Sequence, residues 1–446
     1  MVEISIIMPL YNASRYLEEA LQSVLKQTFS EFELICINDA STDNTLDILY
    51  SFAKADNRIR ILINDERMGA AYSRNRGITE ARGSYIIFLD GDDIFDEDLL
   101  KLSYLEMERT DADIVMYEVK IVPTEQIYEK RFVERSQYFL ERYCKNTFSP
   151  CQCDPLEFLS WNHATWSKIY RKSFICSNKI EFQSLPCSND VYFGYMAFML
   201  ADRMIMLSDR RVMVYVRDHA ETTRISNDRD PMCGYLAMKK LAEELEERGM
   251  FEKLFQHYYC VLYNRLIKAL LATKNQEKAE SFYNFLRNEG VKKLTILCES
   301  NNLELNPYIL DLLRKFECLD FQSGWFENIN ILNIYLWVKG RNVVELIQNV
   351  HECESKIALW GAGMNGRVFL DFLADNNTRV DAVIDSDENK WGKIISGYKI
   401  KRPDEIIEDV QIVITTSNNI YRGISKKLDE KDIGVIDIQC MLGMYT

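Results

Sequence analysis

The segment Ser84-Tyr85-Ile86-Ile87-Phe88-Leu89-Asp90-Gly91-Asp92-Asp93 decides how the first part of the chain folds. From Tyr85 to Leu89 it is a β-rich run, apolar on both faces, and it closes in an acidic turn. A strand with no polar face must be covered on both sides, as in a parallel sheet flanked by helices. The same alternation recurs upstream. Ile4–Met8, Phe32–Ile37 and Arg58–Ile63 read as strands. Ala13–Gln27 carries Tyr16, Leu17, Ala20, Leu21, Val24 and Leu25 at helical spacing. Ser41, Thr42 and Asp43 offer caps for a second helix through Ala55, and Met68–Arg82 reads as a third. In such sheets ligands sit beyond the carboxyl ends of the strands. Tyr11-Asn12, Asn38-Asp39 and Asp90–Asp93 all fall there.

The chain has 446 residues, enough for about three domains at ~150 residues each. With 47% hydrophobic and 27% charged residues and only 18 Gly and 8 Pro, it is an ordinary globular sequence rather than a collagenous or disordered one. No apolar run approaches the ~18 residues of a membrane span, so no transmembrane segment is expected. The N-terminus reads as a strand without a basic leader, which argues against a secretory signal and for a cytoplasmic location. A net charge of −14 excludes a nucleic-acid-coating surface but not local phosphate binding. Twelve scattered cysteines, including Cys144, Cys151, Cys153 and Cys187, lack the paired spacing of a zinc site and read as reduced core residues.

Three parts follow from the patterning: 1–228 as an α/β domain, 229–350 as a helical middle segment and 351–446 as a smaller α/β unit. In the middle part, Leu236–Leu245, Phe251–Thr273, Glu277–Asn288, Pro307–Phe316 and Ile331–Asn349 have helical spacing. Trp325-Phe326 and Tyr335-Leu336-Trp337 are candidates for a face between two subunits of a homodimer. In the last part Gly361-Ala362-Gly363-Met364-Asn365-Gly366 follows a short strand and opens a helix. Asp385 ends the next strand, where a ribose-binding acid would lie, so Gly361, Gly363, Gly366 and Asp385 form a candidate second nucleotide site.

The acidic turn suggests chemistry. Carboxylates crowded at the end of a buried strand repel one another, and a hard divalent cation with oxygen ligands relieves this. Such a cation, Mg2+ or Mn2+, commonly shares its remaining sites with substrate phosphates. Gly91 allows the backbone to approach a ligand closely. The plain alternative is a turn that caps the helix after Asp96.

With these pieces in place, residues 3–225 resemble the family 2 glycosyltransferases of GT-A fold. The matching segments are SIIMPLYN (Ser5–Asn12), INDASTDNT (Ile37–Thr45), NDERMGAAYSRNRG (Asn64–Gly77), IIFLDGDD (Ile86–Asp93) and ATWSKIYRKSF (Ala164–Phe174). The resemblance implies that Pro9, Tyr11, Asn12 and Asp39 lie about the nucleotide base, with Asp39 accepting from the ring N–H. It places Arg74 near the base and phosphates, Asp90 at the ribose and Asp92 at a metal bridging the diphosphate. It implies Asp190 as the catalytic base in PCSNDVYF, although Asn189 stands where the family usually has an acid. In the segment around Tyr215–Thr223 it implies that Arg217 and His219 close over the diphosphate and metal. Trp166 and His163 are candidates for the acceptor pocket. The small C-terminal unit resembles Rossmann-like modules attached to sugar-modifying bacterial enzymes.

The function so implied is inverting, metal-dependent transfer of a hexosyl group from a nucleotide-diphosphate donor, UDP by family frequency. The acceptor would be a hydroxyl of a surface glycan of capsule, lipopolysaccharide or teichoic acid type, lipid-linked or free, with a protein or peptide as a variant. Such an enzyme would be cytoplasmic or peripheral at the inner membrane face. Two other readings stand beside it. One is a non-catalytic nucleotide-sugar-binding protein; the other is a bifunctional enzyme with an NAD-dependent C-terminal unit.

Overall fold

The computed structural model describes residues 2–123, 144–153, 155, 163–207, 213–218, 230–273, 275–293, 303–304, 313, 356–375, 377–406, 412–415 and 434–437. His219, Trp325, Phe326, Tyr335, Leu336 and Trp337, with the helices expected at 307–316 and 331–349, lie outside those residues, save Leu313. The chain divides into two compact units: Met1–Pro155 with Trp161–Ile309, and Leu156–Ser160 with Leu310–Thr446. Up to Ile309, then, the helices expected as a middle segment belong to the first unit.

The first unit is built on a seven-stranded sheet. Its strands are β1 (Ile4–Leu10), β2 (Phe32–Asn38), β3 (Ile59–Ile63), β4 (Tyr85–Phe88), β6 (Ile114–Met116), β8 (Lys168–Arg171) and β9 (Met204–Met206). They run in the order β3-β2-β1-β4-β8-β6-β9. β3, β2, β1 and β4 are mutually parallel, and β8 lies antiparallel between β4 and β6. β2 and β4 are buried along their whole length, as expected from their unbroken apolar sequence. Pro9, which cannot donate to a ladder, sits past the part of β1 that pairs with β4.

Helices cover both faces. α1 (Leu17–Leu25) buries Leu17, Ala20, Leu21 and Val24, α2 (Thr45–Ala55) buries Leu49, and α4 (Leu99–Thr110) buries Leu99, Leu100 and Met107. α3 (Ala70–Glu80) lies close on β1, because a Cβ on Gly77 would come within 2.4 Å of Ile7 Cγ2. Two helices are shorter than their apolar spacing suggests. α3 cannot begin at Met68 because Gly69 has a φ of 88°, outside the helical region. α1 starts four residues after Ala13, since Ala13 and Ser14 donate to Thr45 Oγ1 and Asp43 Oδ2 of the neighbouring turn. Thr42 and Asp43 thus tie two loops together, and the N-cap position of α2 is Asn44.

A smaller sheet orders β5 (Ile94–Phe95), β10 (Met213–Asp218) and β7 (Glu118–Pro123) as β5-β10-β7. Five further α-helices are described in the first unit. They are α5 (Lys172–Ser177), α6 (Asn189–Leu200), α7 (Met232–Glu247), α8 (Phe251–Ala272) and α9 (Gln276–Phe285). α6 is apolar all round, with every residue from Val191 to Met199 buried, so it runs through the interior.

The second unit has β11 (Ile357–Trp360), β12 (Ala382–Ile384), β13 (Ile394–Ile395), β14 (Tyr398–Lys401), β15 (Ile412–Thr415) and β16 (Gly434–Asp437). Their order is β13-β14-β12-β11-β15-β16, all parallel except the β13–β14 pair. α10 (Met364–Asp375) follows the glycine turn after β11. Gly366 is pressed against that turn, since a Cβ there would lie 1.9 Å from the Gly361 oxygen.

Candidate active site

The carboxyl ends of β1, β2 and β4 converge on one edge, as the sequence suggests. Asp39 N–H donates to the Leu10 carbonyl at 2.8 Å, and Asn64 N–H donates to that of Asn38 at 2.9 Å. Asp39 is 2% exposed. Its carboxylate accepts from Asn64 Nδ2 at 2.7 Å, Met68 N at 2.9 Å and Gly69 N at 2.8 Å. It therefore holds the turn that leads into α3, with any bond to a base added to three already made. Asn12, at a φ of 50°, places its amide oxygen 2.8 Å from Thr42 N and so fastens the first loop to the second. Tyr11 is exposed at the rim, with the Arg67 guanidinium 4.0 Å over its ring. Half-buried Pro9 stands on β1 beneath it.

Arg74 is the centre of the polar cluster. It lies one turn into α3 and is 7% exposed. Nη2 donates to Asp90 Oδ1 at 2.7 Å and Nη1 to Asn189 Oδ1 at 3.2 Å. The guanidinium is 5.3 Å from the Phe182 ring, which itself stacks on Phe193 of α6 at 4.0 Å. Asp92 is half-buried in the turn after β4 and Asp93 is buried. A Cβ at Gly91 would lie 2.3 Å from Leu10 Cδ2, so a larger residue in this turn would have to displace the buried Leu10 side chain at the end of β1. Carboxylate oxygens are the donor type that a hard divalent cation requires, so Asp92 fits such an ion. Arg217 is on β10, two residues past Tyr215, which pairs antiparallel with Ile94 just after the acidic turn. The register carries the β10 backbone back toward that turn.

Asp190 is the second residue of α6 and its side chain is 28% exposed. Its Oδ2 lies 3.7 Å from His163 Nε2. Burial alone would raise the Asp190 carboxyl, but the charges of His163, Arg74 and Arg265 outweigh it and hold the pKa below the ordinary carboxylate value. His163 is fixed by close packing. A Cβ on Gly194 would lie 2.1 Å from the His163 carbonyl oxygen, and the imidazole is 5.3 Å from the Tyr195 ring. The 3-10 turn Thr165–Ser167 follows, and half-buried Trp166 is held by its carbonyl, which accepts from Tyr117 OH at 3.1 Å. Buried Lys168 donates to Ala164 O and to Ser167 Oγ, so it shapes this turn rather than meeting solvent.

Sequence reasoning missed two contributors. Asn189 replaces a usual acid, yet it is a working acceptor for Arg74. Arg265 of α8 donates from Nη2 to Ser188 Oγ, directly before Asn189 and Asp190. The only sign of it in sequence is a cation on a face otherwise made of buried Val261, Leu262 and Leu266.

In the second unit Asp385 Oδ2 accepts from Ala362 N at 2.6 Å and Lys390 Nζ at 3.0 Å, while Oδ1 accepts from Asp387 N at 2.8 Å. The acid thus clamps the glycine turn, where a ribose was expected. Gly361 has a φ of 116° and Gly363 faces open space.

Both parts of the chain are similar to known proteins. Residues 353–438 match the family described as C2185-like, N-terminal. Glycosyltransferase GlyG of Streptococcus pneumoniae is 41% identical over 113 residues, covering 25% of this chain and 38% of GlyG. The poly(ribitol-phosphate) beta-N-acetylglucosaminyltransferase TarS of Staphylococcus aureus is 27% identical over 256 residues, covering 55% of this chain and 42% of TarS. The chain therefore spans less than half the length of these two relatives. The crystal structure of S. aureus TarS 1-349 in complex with UDP-GlcNAc superposes at a TM-score of 0.50 with 22% identity, covering 71% of this chain and 90% of that one, a likeness of fold. The model of the family described as glycosyl transferase family 2 matches residues 5–185, the stretch that carries Asp39, Arg74, Asp90 and His163.

Proposed function

We propose that the chain is an inverting glycosyltransferase that moves a sugar from a UDP-sugar to a hydroxyl of a surface glycan, with Asp190 as its base. The observation that carries this reading is the position of the Asp190 carboxylate, 3.7 Å from His163 and beside the Arg74–Asp90 pair at the strand ends. Asp190 takes the proton of the acceptor hydroxyl as its oxygen attacks the anomeric carbon. The bond from that carbon to the diphosphate breaks on the opposite face, and configuration inverts. A carboxylate held at a low pKa is a weak base, so it takes the proton late, when the attacking oxygen has become acidic. Orientation by the packed His163 and Trp166 turn supplies a further part of the acceleration.

Asp92, with His219, would hold Mn2+ or Mg2+, and that ion when bound supplies positive charge to the departing diphosphate. Pro9, Tyr11, Asn12 and Asp39 would border the base, Asp90 the ribose and Arg217 the diphosphate. A glycan of teichoic acid type as acceptor is supported by the name of TarS, and UDP as the nucleotide by the UDP-GlcNAc bound in the TarS crystal structure. The proposed place of work is the inner face of the membrane. Among the described residues no helix is long and apolar enough to cross it.

The C-terminal unit we read as Rossmann-like, supported by its parallel order β14-β12-β11-β15-β16 with the glycine turn after β11. The three intraprotein bonds of the Asp385 carboxylate favour a scaffold over an NAD site there.

A screen of nucleotide-sugars by UDP release, with and without Mn2+, tests the function. Turnover with a UDP-sugar that disappears in Asp190→Ala while UDP affinity stays within about threefold supports it. Binding of UDP with no turnover on any donor would favour a non-catalytic nucleotide-sugar-binding protein.

A further inference from the structure

The turn that presents Asp190 is gripped from the helical part of the first unit. Ser188, at the N-cap position of α6, has a φ of 56° and a ψ of 27°. A side-chain-bearing residue adopts this left-handed conformation only when its surroundings hold it there. Its hydroxyl accepts from Arg265 Nη2 of α8, and the Ser188 side chain makes no capping bond to α6. One residue earlier, buried Cys187 meets buried Cys233 of α7, and its Sγ also reaches the Asp230 carbonyl at 3.4 Å. Two consecutive residues before Asn189 and Asp190 are thus held by α8 and by the start of α7.

Arg265 itself is fitted to this task. Its Nε is buried and has no hydrogen-bond partner, so the guanidinium is committed to its Nη end. Gly234 of α7 leaves the room it needs, since a Cβ there would lie 3.3 Å from that Nε. A half-buried guanidinium whose Nε is left unpaired is held in place chiefly by its Nη bond to Ser188.

We propose that Arg265 is a positioning residue for Asp190: by holding Ser188 in its left-handed conformation it sets the turn that aims Asn189 at Arg74 and Asp190 at His163. The helices after residue 230 are then part of the active site, and this inference rests on the reading of Asp190 as the base. Groups facing Asp190 are His163 from the preceding turn, Arg74 from α3, Arg265 from α8 and the buried Tyr170 phenol from β8. Arg265 therefore also contributes charge that favours the ionised carboxylate.

The test compares Arg265→Met, Arg265→Lys and the double variant Arg265→Met/Ser188→Gly. Each is followed by UDP release from the donor on which the unaltered protein is most active. Misplacing a reacting group by about 1 Å costs on the order of 100-fold. Arg265→Met is expected to lose tenfold to hundredfold in kcat, with KM for the donor within about twofold and the acid limb of the pH profile moved to higher pH. Glycine takes the left-handed conformation without a clamp, so the double variant should regain kcat while keeping the displaced acid limb. Arg265→Lys keeps the charge, so its acid limb should stay in place even where folding of the Met variant is impaired. An Arg265→Met enzyme with unaltered kcat, or one whose loss leaves the pH profile unmoved, overturns the proposal. Asp190→Asn run alongside separates the two readings: an active Asp190→Asn refutes the base, whereas an inactive one beside a fully active Arg265→Met refutes the positioning.

Discussion

Arg74 and Asn189, 115 positions apart in the chain, meet with Nη1 and Oδ1 3.2 Å from one another. The same guanidinium bonds Asp90. A neutral amide at position 189 therefore gives the arginine a second acceptor without adding a second negative charge beside Asp190. Asn189→Asp should place a like charge next to the base and raise its pKa. The base works ionised, so the rate rises as pH climbs through that pKa. The acid limb of kcat/KM should accordingly move to higher pH, with donor affinity little changed. A pH–rate profile checks this, and an unmoved acid limb would show that the two side chains do not interact.

Arg74→Lys should be far from conservative. A point-charge ammonium cannot serve Asp90 and Asn189 from two fixed nitrogens as the planar fork does. UDP affinity is expected to fall about tenfold or more, by the ~1.4 kcal/mol or more carried by a hydrogen bond to a charged group. Isothermal titration of UDP with Mn2+ reads it directly.

Gly194→Ala tests the fit between α6 and the His163 backbone. The added methyl would meet a carbonyl oxygen at 2.1 Å, so the turn bearing His163 must shift. Overpacking of this kind costs about 1–3 kcal/mol, visible as a lower melting temperature. Activity should fall further than stability explains, because His163 moves away from Asp190.

Asp43 gives the clearest acid-stability prediction. Burial acts to raise its carboxyl, yet the bonds from Thr45 and Ser14 prevail and bring it to about 2. The folded pKa lies below the unfolded value of about 3.9, so this contribution is present above pH ~4 and is lost as pH falls toward 2. Asp43→Asn should lower the urea midpoint at pH 7 and flatten its decline between pH 4 and 2. Equal slopes for the two proteins would contradict the assignment.

In the second unit, Asp385→Ala removes the partner of Ala362 N, Asp387 N and Lys390 Nζ together. Leaving the buried Ala362 N–H without an acceptor costs about 1–3 kcal/mol, while the more exposed Asp387 N–H and Lys390 Nζ can turn to water. Calorimetry should show a transition lowered for this unit, while UDP turnover by the first unit stays unchanged.

How much of this was legible depends on the range of the interaction. The sheet edge at Tyr11, Asp39 and Asp90 could be read because each residue ends its own apolar strand, a local pattern. The Asp190 turn could be placed only through the resemblance, because α6 is apolar all round and its periodicity marks no face. The bonds of Asp39 to Met68 and Gly69 were not legible, since a backbone N–H has no signature in the letters. Arg265 was invisible for a different reason. Its partner is 77 positions away, and a lone arginine on an apolar helix face reads equally well as a half-exposed surface residue.

The arginine held against Ser188 also has a consequence for the order in which the protein becomes competent. During synthesis the strands, the acidic turn and Asp190 leave the ribosome well before α8 does, and folding proceeds from the N-terminal end. Until residue 265 has emerged, the Ser188 turn has no clamp and is free to relax to right-handed conformations. A nascent chain would thus complete its nucleotide-facing edge first and acquire an aimed base only after some seventy-five further residues, the separation of Asp190 from Arg265.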